Sequence, residues 1–137
     1  MPKKVSPKRK LNRQQQSDLD IEIGFIERVV QRDPHYVEAL QILGDDYTRR
    51  GKFENGLRID EQLARLRPDD ATVLYNLACS YALTDQIGGA LSTLTKAIDQ
   101  GYSDLKWLMK YPDLKKLRAH PSFKPLQQKL RASGIKA

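Results

Sequence analysis

Large apolar residues recur at helical spacing from the first third of the chain onward. Leu19, Ile23, Ile26 and Val30 lie three or four apart, and Phe25 and Val29 widen the stripe until Asp33-Pro34 interrupts it. Residues so spaced share one face of an α-helix, so the pattern predicts an amphipathic helix over 18–32. Ser17 stands at an N-cap position, and Asp18 and Asp20 suit the positive end of a helix dipole. Beyond Pro34, Leu40, Leu43 and Tyr47 follow the same rule, as do Leu74, Leu77 and Tyr81. Breaks follow at Arg50-Gly51-Lys52 and at Thr84-Asp85-Gln86. Further stripes then run through Phe53, Leu57 and Leu63, and through Ile87, Leu91, Leu94 and Ala97. Each stretch reads as helix, turn, helix.

The two stretches are copies of one pattern. Residues 37–70 align with 71–104 without a gap, a period of 34, placing Leu40 on Leu74, Leu43 on Leu77, Tyr47 on Tyr81 and Leu57 on Leu91. Small residues also coincide, Gly44 with Ala78 and Gly56 with Ala90. Small side chains at fixed positions let paired helices approach closely, while the tyrosines fill the space beside them.

With Leu40, Leu43-Gly44, Tyr47, Gly56 and Pro68 in one unit, and Leu74, Leu77-Ala78, Tyr81, Ala90 and Ala97 in the next, the chain resembles the tetratricopeptide-repeat family. The resemblance covers about residues 18–104, the first helix counting as the second half of an incomplete unit. It implies an all-α, right-handed array of helical hairpins, about two and a half repeats long. Two positions depart from the family pattern. Asp60 stands where an aromatic residue is expected, and Tyr102, after Gly101, replaces the closing proline.

A short array leaves apolar faces bare at its ends. Residues 105–137 carry Trp107, Leu108, Leu114, Leu117, Phe123, Leu126 and Leu130 between Pro112, Pro121 and Pro125, and read as a helical cap. Ser122 is placed to cap the last helix. The run Pro112-Asp113-Leu114, Leu117-Arg118 and His120-Pro121 with Phe123 is similar to a closing segment of small bacterial tetratricopeptide proteins. Residues 1–16 are basic, hold two prolines and three consecutive glutamines, and offer little apolar surface, so they read as a disordered arm. The expected division is an arm over 1–16, a repeat domain over 17–104 and a cap over 105–137.

Charge sharpens this division. The net +7 resolves into +6 over residues 1–16, −6 over 17–103 and +7 over 104–137. The longest apolar stretches are far short of the roughly 20 residues that cross a bilayer, and no apolar run follows the basic N-terminus. No membrane partner is indicated, and a cytoplasmic setting suits the composition.

Candidate chemistry is sparse. Cys79 is the only cysteine, which excludes an internal disulfide and reads as a small packing or groove residue. His35 and His120 have no companion at a metal-site spacing, and both read as turn histidines. Asp69-Asp70 sits at a helix start and reads as a cap. Gly88-Gly89 and Gly51 fit no phosphate-binding pattern. No cofactor, metal or reaction is expected.

Recognition remains. The resemblance implies that exposed positions on the first helix of each repeat line a concave binding face: Glu38, Gln41, Asp45, Thr48 and Arg49, then Thr72, Tyr75 and Cys79, with Ala82 and Leu83 beyond. Such a face suits a peptide or protein segment with basic and apolar side chains. Chaperone-binding members of the family grip a terminal carboxylate with lysines and asparagines. Gln41 and Asp45 replace such residues here, although Asn76 is retained. A second reading rests on the basic ends. Lys3, Lys4, Lys8, Arg9, Lys10 and Arg13 could neutralise phosphates of RNA or a ribonucleoprotein together with the C-terminal bases.

Overall fold

A computed structural model describes residues 10–104, 115–132 and 134. Seven helices occupy those residues: α1 (Arg13–Arg32), α2 (Val37–Arg49), α3 (Phe53–Leu66), α4 (Ala71–Leu83), α5 (Ile87–Asp99), α6 (Lys115–Ala119) and α7 (Phe123–Ala132). From α1 to α5 each helix packs on the next, and α6 and α7 pack on α5 and on one another. The chain is an all-α array of helical hairpins.

The first helix starts earlier than its apolar stripe. Asn12 caps it, accepting from the Gln15 amide at 2.8 Å while the Gln15 side chain accepts from the Asn12 amide at 2.9 Å. This reciprocal pair is a capping box, and it moves the helix start from the expected residue 18 to Arg13. Ser17 therefore lies inside the helix. The glutamine run is part of the structure rather than of an arm, with Gln14 donating to Asp18 at 2.8 Å and Gln16 to the Leu11 carbonyl at 3.0 Å. The rest of the expected arm lies outside the described residues as far as Arg9.

The hairpin turns repeat in hydrogen-bond detail. Gly51 N–H donates to Thr48 O and Lys52 N–H to Tyr47 O, at 3.1 and 2.8 Å. Thirty-four residues on, Asp85 N–H donates to Ala82 O and Gln86 N–H to Tyr81 O at the same two distances. Both are Schellman closures, which need a left-handed residue at their centre. Gly51 supplies it at φ 84°, whereas Asp85 adopts φ 63° with a side chain in place. A third closure ends α5, where Gly101 and Tyr102 donate to Ile98 and Ala97. Asp70 caps α4 as its position suggested, accepting from Thr72 N–H at 2.9 Å and Val73 N–H at 3.1 Å.

Close packing explains the small residues. A Cβ on Gly44 would lie 3.0 Å from Asp60 Oδ1 and 3.2 Å from Ile59 Cγ2, and one on Gly56 would lie 3.1 Å from Thr48 Oγ1. Successive units are also linked by one repeated bond. Tyr47 Oη donates to Glu27 at 2.5 Å and Tyr81 Oη to Glu61 at 3.2 Å, each across 20 residues. Glu27 and Glu61 are themselves one period apart, so α1 meets α2 through the same bond by which α3 meets α4.

The core has three parts. Leu19 and Ile23 of α1 meet Leu43 and Tyr47 of α2, with Ile59 packed alongside. Leu40, Leu63 and Val73 fill the space between the two hairpins. The largest cluster joins α4 and α5 to Tyr102 and to Leu117, Phe123, Leu126 and Leu130 of α6 and α7. The described part of the C-terminal segment thus covers the second hairpin. Trp107, Leu108, Pro112 and Leu114 lie outside the described residues.

Candidate functional site

The inner face divides where the two repeats differ. In the first, Glu38 and Arg49 are exposed, and Gln41 and Asp45 are half-buried. With Thr72, Asn76 and Val73 of α4, Gln41 and Asp45 of α2 enclose a cleft floored by Asp60 and Leu63 of α3. The structure therefore brings together Gln41, Asp45 and Thr72 of the expected set. Helical spacing aligns them, since residues four apart stack on one side of a helix. The cleft is narrow, leaving the centre of a water-sized sphere about 10 Å³. That is room for one water.

Three expected contact residues are instead core. Tyr75 and Cys79 are wholly buried, and Thr48 is 1% exposed. The Tyr75 ring stacks on Tyr102, with centroids 4.3 Å apart and planes 8° from parallel. Burial pushes the Tyr75 phenol strongly upward, with Cys79 and Tyr102 adding to the effect. Tyr102, the departure from the family's proline, is thus the residue that closes this half of the face; its hydroxyl donates to Asp104 O at 3.0 Å. Thr48 turns inward to donate to Gly44 O at 3.1 Å. Tyr75 and Cys79 sit at the positions of Gln41 and Asp45, but the sequence pattern could not show that a stacking partner would cover them.

Asp60, the other departure, is equally settled. It is 3% exposed and accepts from Ser80 Oγ at 2.5 Å, fastening α3 to α4 beneath the cleft. Its burial was legible only as an oddity, an acid where an aromatic residue was expected. Asp46 of α2 is also buried, and burial followed by a hydrogen bond with Glu22 pushes its carboxyl up to about 8. Arg49 lies 4.0 Å from the same carboxyl. Among exposed apolar side chains, Ile42 is 44% exposed and occupies the α2 position that Asn76 holds in α4.

Of the basic residues considered for RNA, Lys3, Lys4, Lys8 and Arg9 lie outside the described residues, and Lys10 and Arg13 are exposed at the start of α1. Two C-terminal bases are engaged by the acidic array, Lys116 with Asp85 at 3.1 Å and Lys129 with Asp99 at 2.8 Å. His120 accepts from Ser122 N–H at 3.1 Å within a turn. Among the described residues no group of three His, Cys, Asp or Glu is placed to hold a metal ion, and no helix is long and apolar enough to cross a membrane.

Known proteins share parts of this chain. A chloroplastic protein of Arabidopsis thaliana is 34% identical over 112 residues, which make up 80% of this chain and 32% of that protein. The peroxisomal targeting signal receptor of Komagataella phaffii is 33% identical over 79 residues, or 58% of this chain and 14% of the receptor. The receptor of the same name from Candida albicans is 32% identical over 79 residues, covering 13% of its length. The chain therefore spans about a third of the first relative and about a seventh of the receptors. No family model matches it.

Proposed function

We propose that this chain is a non-catalytic tetratricopeptide-type adaptor that holds an extended segment of a protein partner along the inner face of its first hairpin. The observation that carries this reading is the cleft itself, where Gln41 and Asp45 of α2 face Thr72 and Asn76 of α4. The amides of Gln41 and Asn76 both donate and accept, which suits a peptide main chain. Asp45 would favour a lysine or arginine of the partner, and exposed Ile42 would receive an apolar side chain beside it. Relatives named as receptors for a targeting signal support a role in recognising protein segments. The cytoplasmic setting suggested by composition belongs to this same reading.

A direct test screens immobilised peptides against the purified chain and against an Asp45→Ala/Asn76→Ala variant. We expect the wild type to enrich peptides with basic residues and the variant to lose at least about tenfold in affinity, a loss of about 1.4 kcal/mol or more. Tyr75 is excluded as a probe because its replacement would disturb the core. Equal binding by both proteins would sink the groove reading. Binding that disappears on nuclease treatment would favour the nucleic-acid alternative instead.

A further inference from the structure

The outer face of α1 carries the two most exposed large apolar side chains among the described residues. Ile21 is 69% exposed and Phe25 57%, and Val29 continues the stripe one turn on. Adding one period shows which face this is. Phe25 corresponds to Ile59 and Ile21 to Asn55, and Asn55 in turn to Gly89. Ile59 packs against Gly44 of α2, its Cγ2 3.2 Å from where a Cβ would stand. Gly89 lies 3.4 Å from the Tyr81 ring of α4 by the same measure. In both complete hairpins this face of the second helix is therefore covered by an antiparallel first helix. On α1 it is not covered by any described residue.

The sequence of that face is complementary to itself in reverse. Counting outward from Phe25, Ile21 and Val29 stand four residues to either side, and Asp18 and Arg32 seven. Asp18 and Arg32 are both exposed. Two such helices laid antiparallel across a two-fold axis at Phe25 would set Ile21 against Val29 of the second copy. Each Asp18 would then meet Arg32 of the second copy, closing both ends of the apolar stripe with opposite charges. A two-fold contact needs this kind of self-complementarity.

We propose that α1 is a homodimer interface, with a second copy of this chain supplying the antiparallel helix. A single pair of helices buries less than a standard stable interface, so association is reversible, with a dissociation constant on the order of 10⁻⁵ M.

Sedimentation equilibrium on the full chain, from about 1 to 500 µM, tests this. The mass is expected to rise from one chain to two across that range. Phe25→Asp places two carboxylates at the axis and is expected to leave a monomer throughout. Asp18→Arg alone, and Arg32→Asp alone, each set like charges together and are expected to weaken association about tenfold. The double variant D18R/R32D restores opposite pairs and is expected to return within about threefold of wild type. Because these side chains are exposed, circular dichroism should show unchanged helix content in every variant. A wild-type chain that stays monomeric, a Phe25→Asp variant that still dimerises, or a double variant as weak as the singles would overturn the proposal.

Discussion

The two hairpins share backbone, period and turn geometry, yet their inner faces do opposite things. In the first, positions 41 and 45 hold Gln and Asp, and the cleft between α2 and α4 stays open and polar. In the second, the equivalent positions hold Tyr75 and Cys79, and both are buried. Tyr102 and the C-terminal helices turn that half into the largest apolar cluster. A repeat scaffold therefore sets where a side chain stands, while the neighbours of each unit determine whether it meets water. The polar cleft survives only along the border with the first hairpin, while the rest of the second is sealed.

Four measurements would break or sharpen this contrast. Tyr75→Ala should cost most, because it empties the sealed half and removes the stack on Tyr102; we expect a loss of about 3–5 kcal/mol in urea unfolding. Gln41→Ala, the matching change in the open half, should cost less than about 1 kcal/mol. A similar cost from both would mean that the halves are not differently committed.

Gly44→Leu comes next. Even a Cβ at this site reaches 3.0 Å from Asp60 Oδ1, so the larger side chain should cost about 1–3 kcal/mol by forcing α2 from α3. Thermal unfolding would report it, and a midpoint that does not move would show that the cleft floor is slack.

The third measurement uses pH. The Asp46 carboxyl is raised from 3.8 to about 8 in the folded chain. Over that interval the native state holds a proton that the unfolded chain has released, so this contribution is full below about pH 4 and is lost as pH rises through 8. Asp46→Asn keeps the shape without the titration. Relative to that variant, wild type should lose stability by up to about 1 kcal/mol per pH unit between about pH 5 and 8, measured by urea unfolding at each pH. Parallel profiles would rule out the raised Asp46 carboxyl.

The smallest effect compares the turns. Gly51→Ala places a Cβ at φ 84° and should destabilise by about 1 kcal/mol. Asp85→Gly relieves the same strain at φ 63° and should stabilise by about 0.5 kcal/mol, since the exposed ion pair it loses to Lys116 is worth little. Denaturant midpoints of opposite sign would establish that the two turns differ only in the residue at their centre.

Much of the architecture was legible in the sequence because packing leaves a periodic trace. Leu43, Leu77, Gly44 and Gly56 had to recur for helices to approach, and their recurrence gave the hairpins and the two breaks between helices. The start of α1 was not legible from apolar spacing, since Asn12 and Gln15 define it through polar capping bonds. The site was half legible. Gln41, Asp45 and Thr72 share the cleft, but exposure depends on what lies opposite, and the ring covering Tyr75 is 27 residues further along. Asp60 and Asp46 escaped for a related reason: an acid in an amphipathic pattern is assigned to water until its partner in another helix is known.

The recurring tyrosine–glutamate bond gives the chain a modular logic. Donor and acceptor lie 20 residues apart, less than one 34-residue unit, and each bond crosses from one hairpin to the next. A duplication of residues 54–87 would carry both Glu61 and Tyr81, and would arrive with its own fastening already inside it.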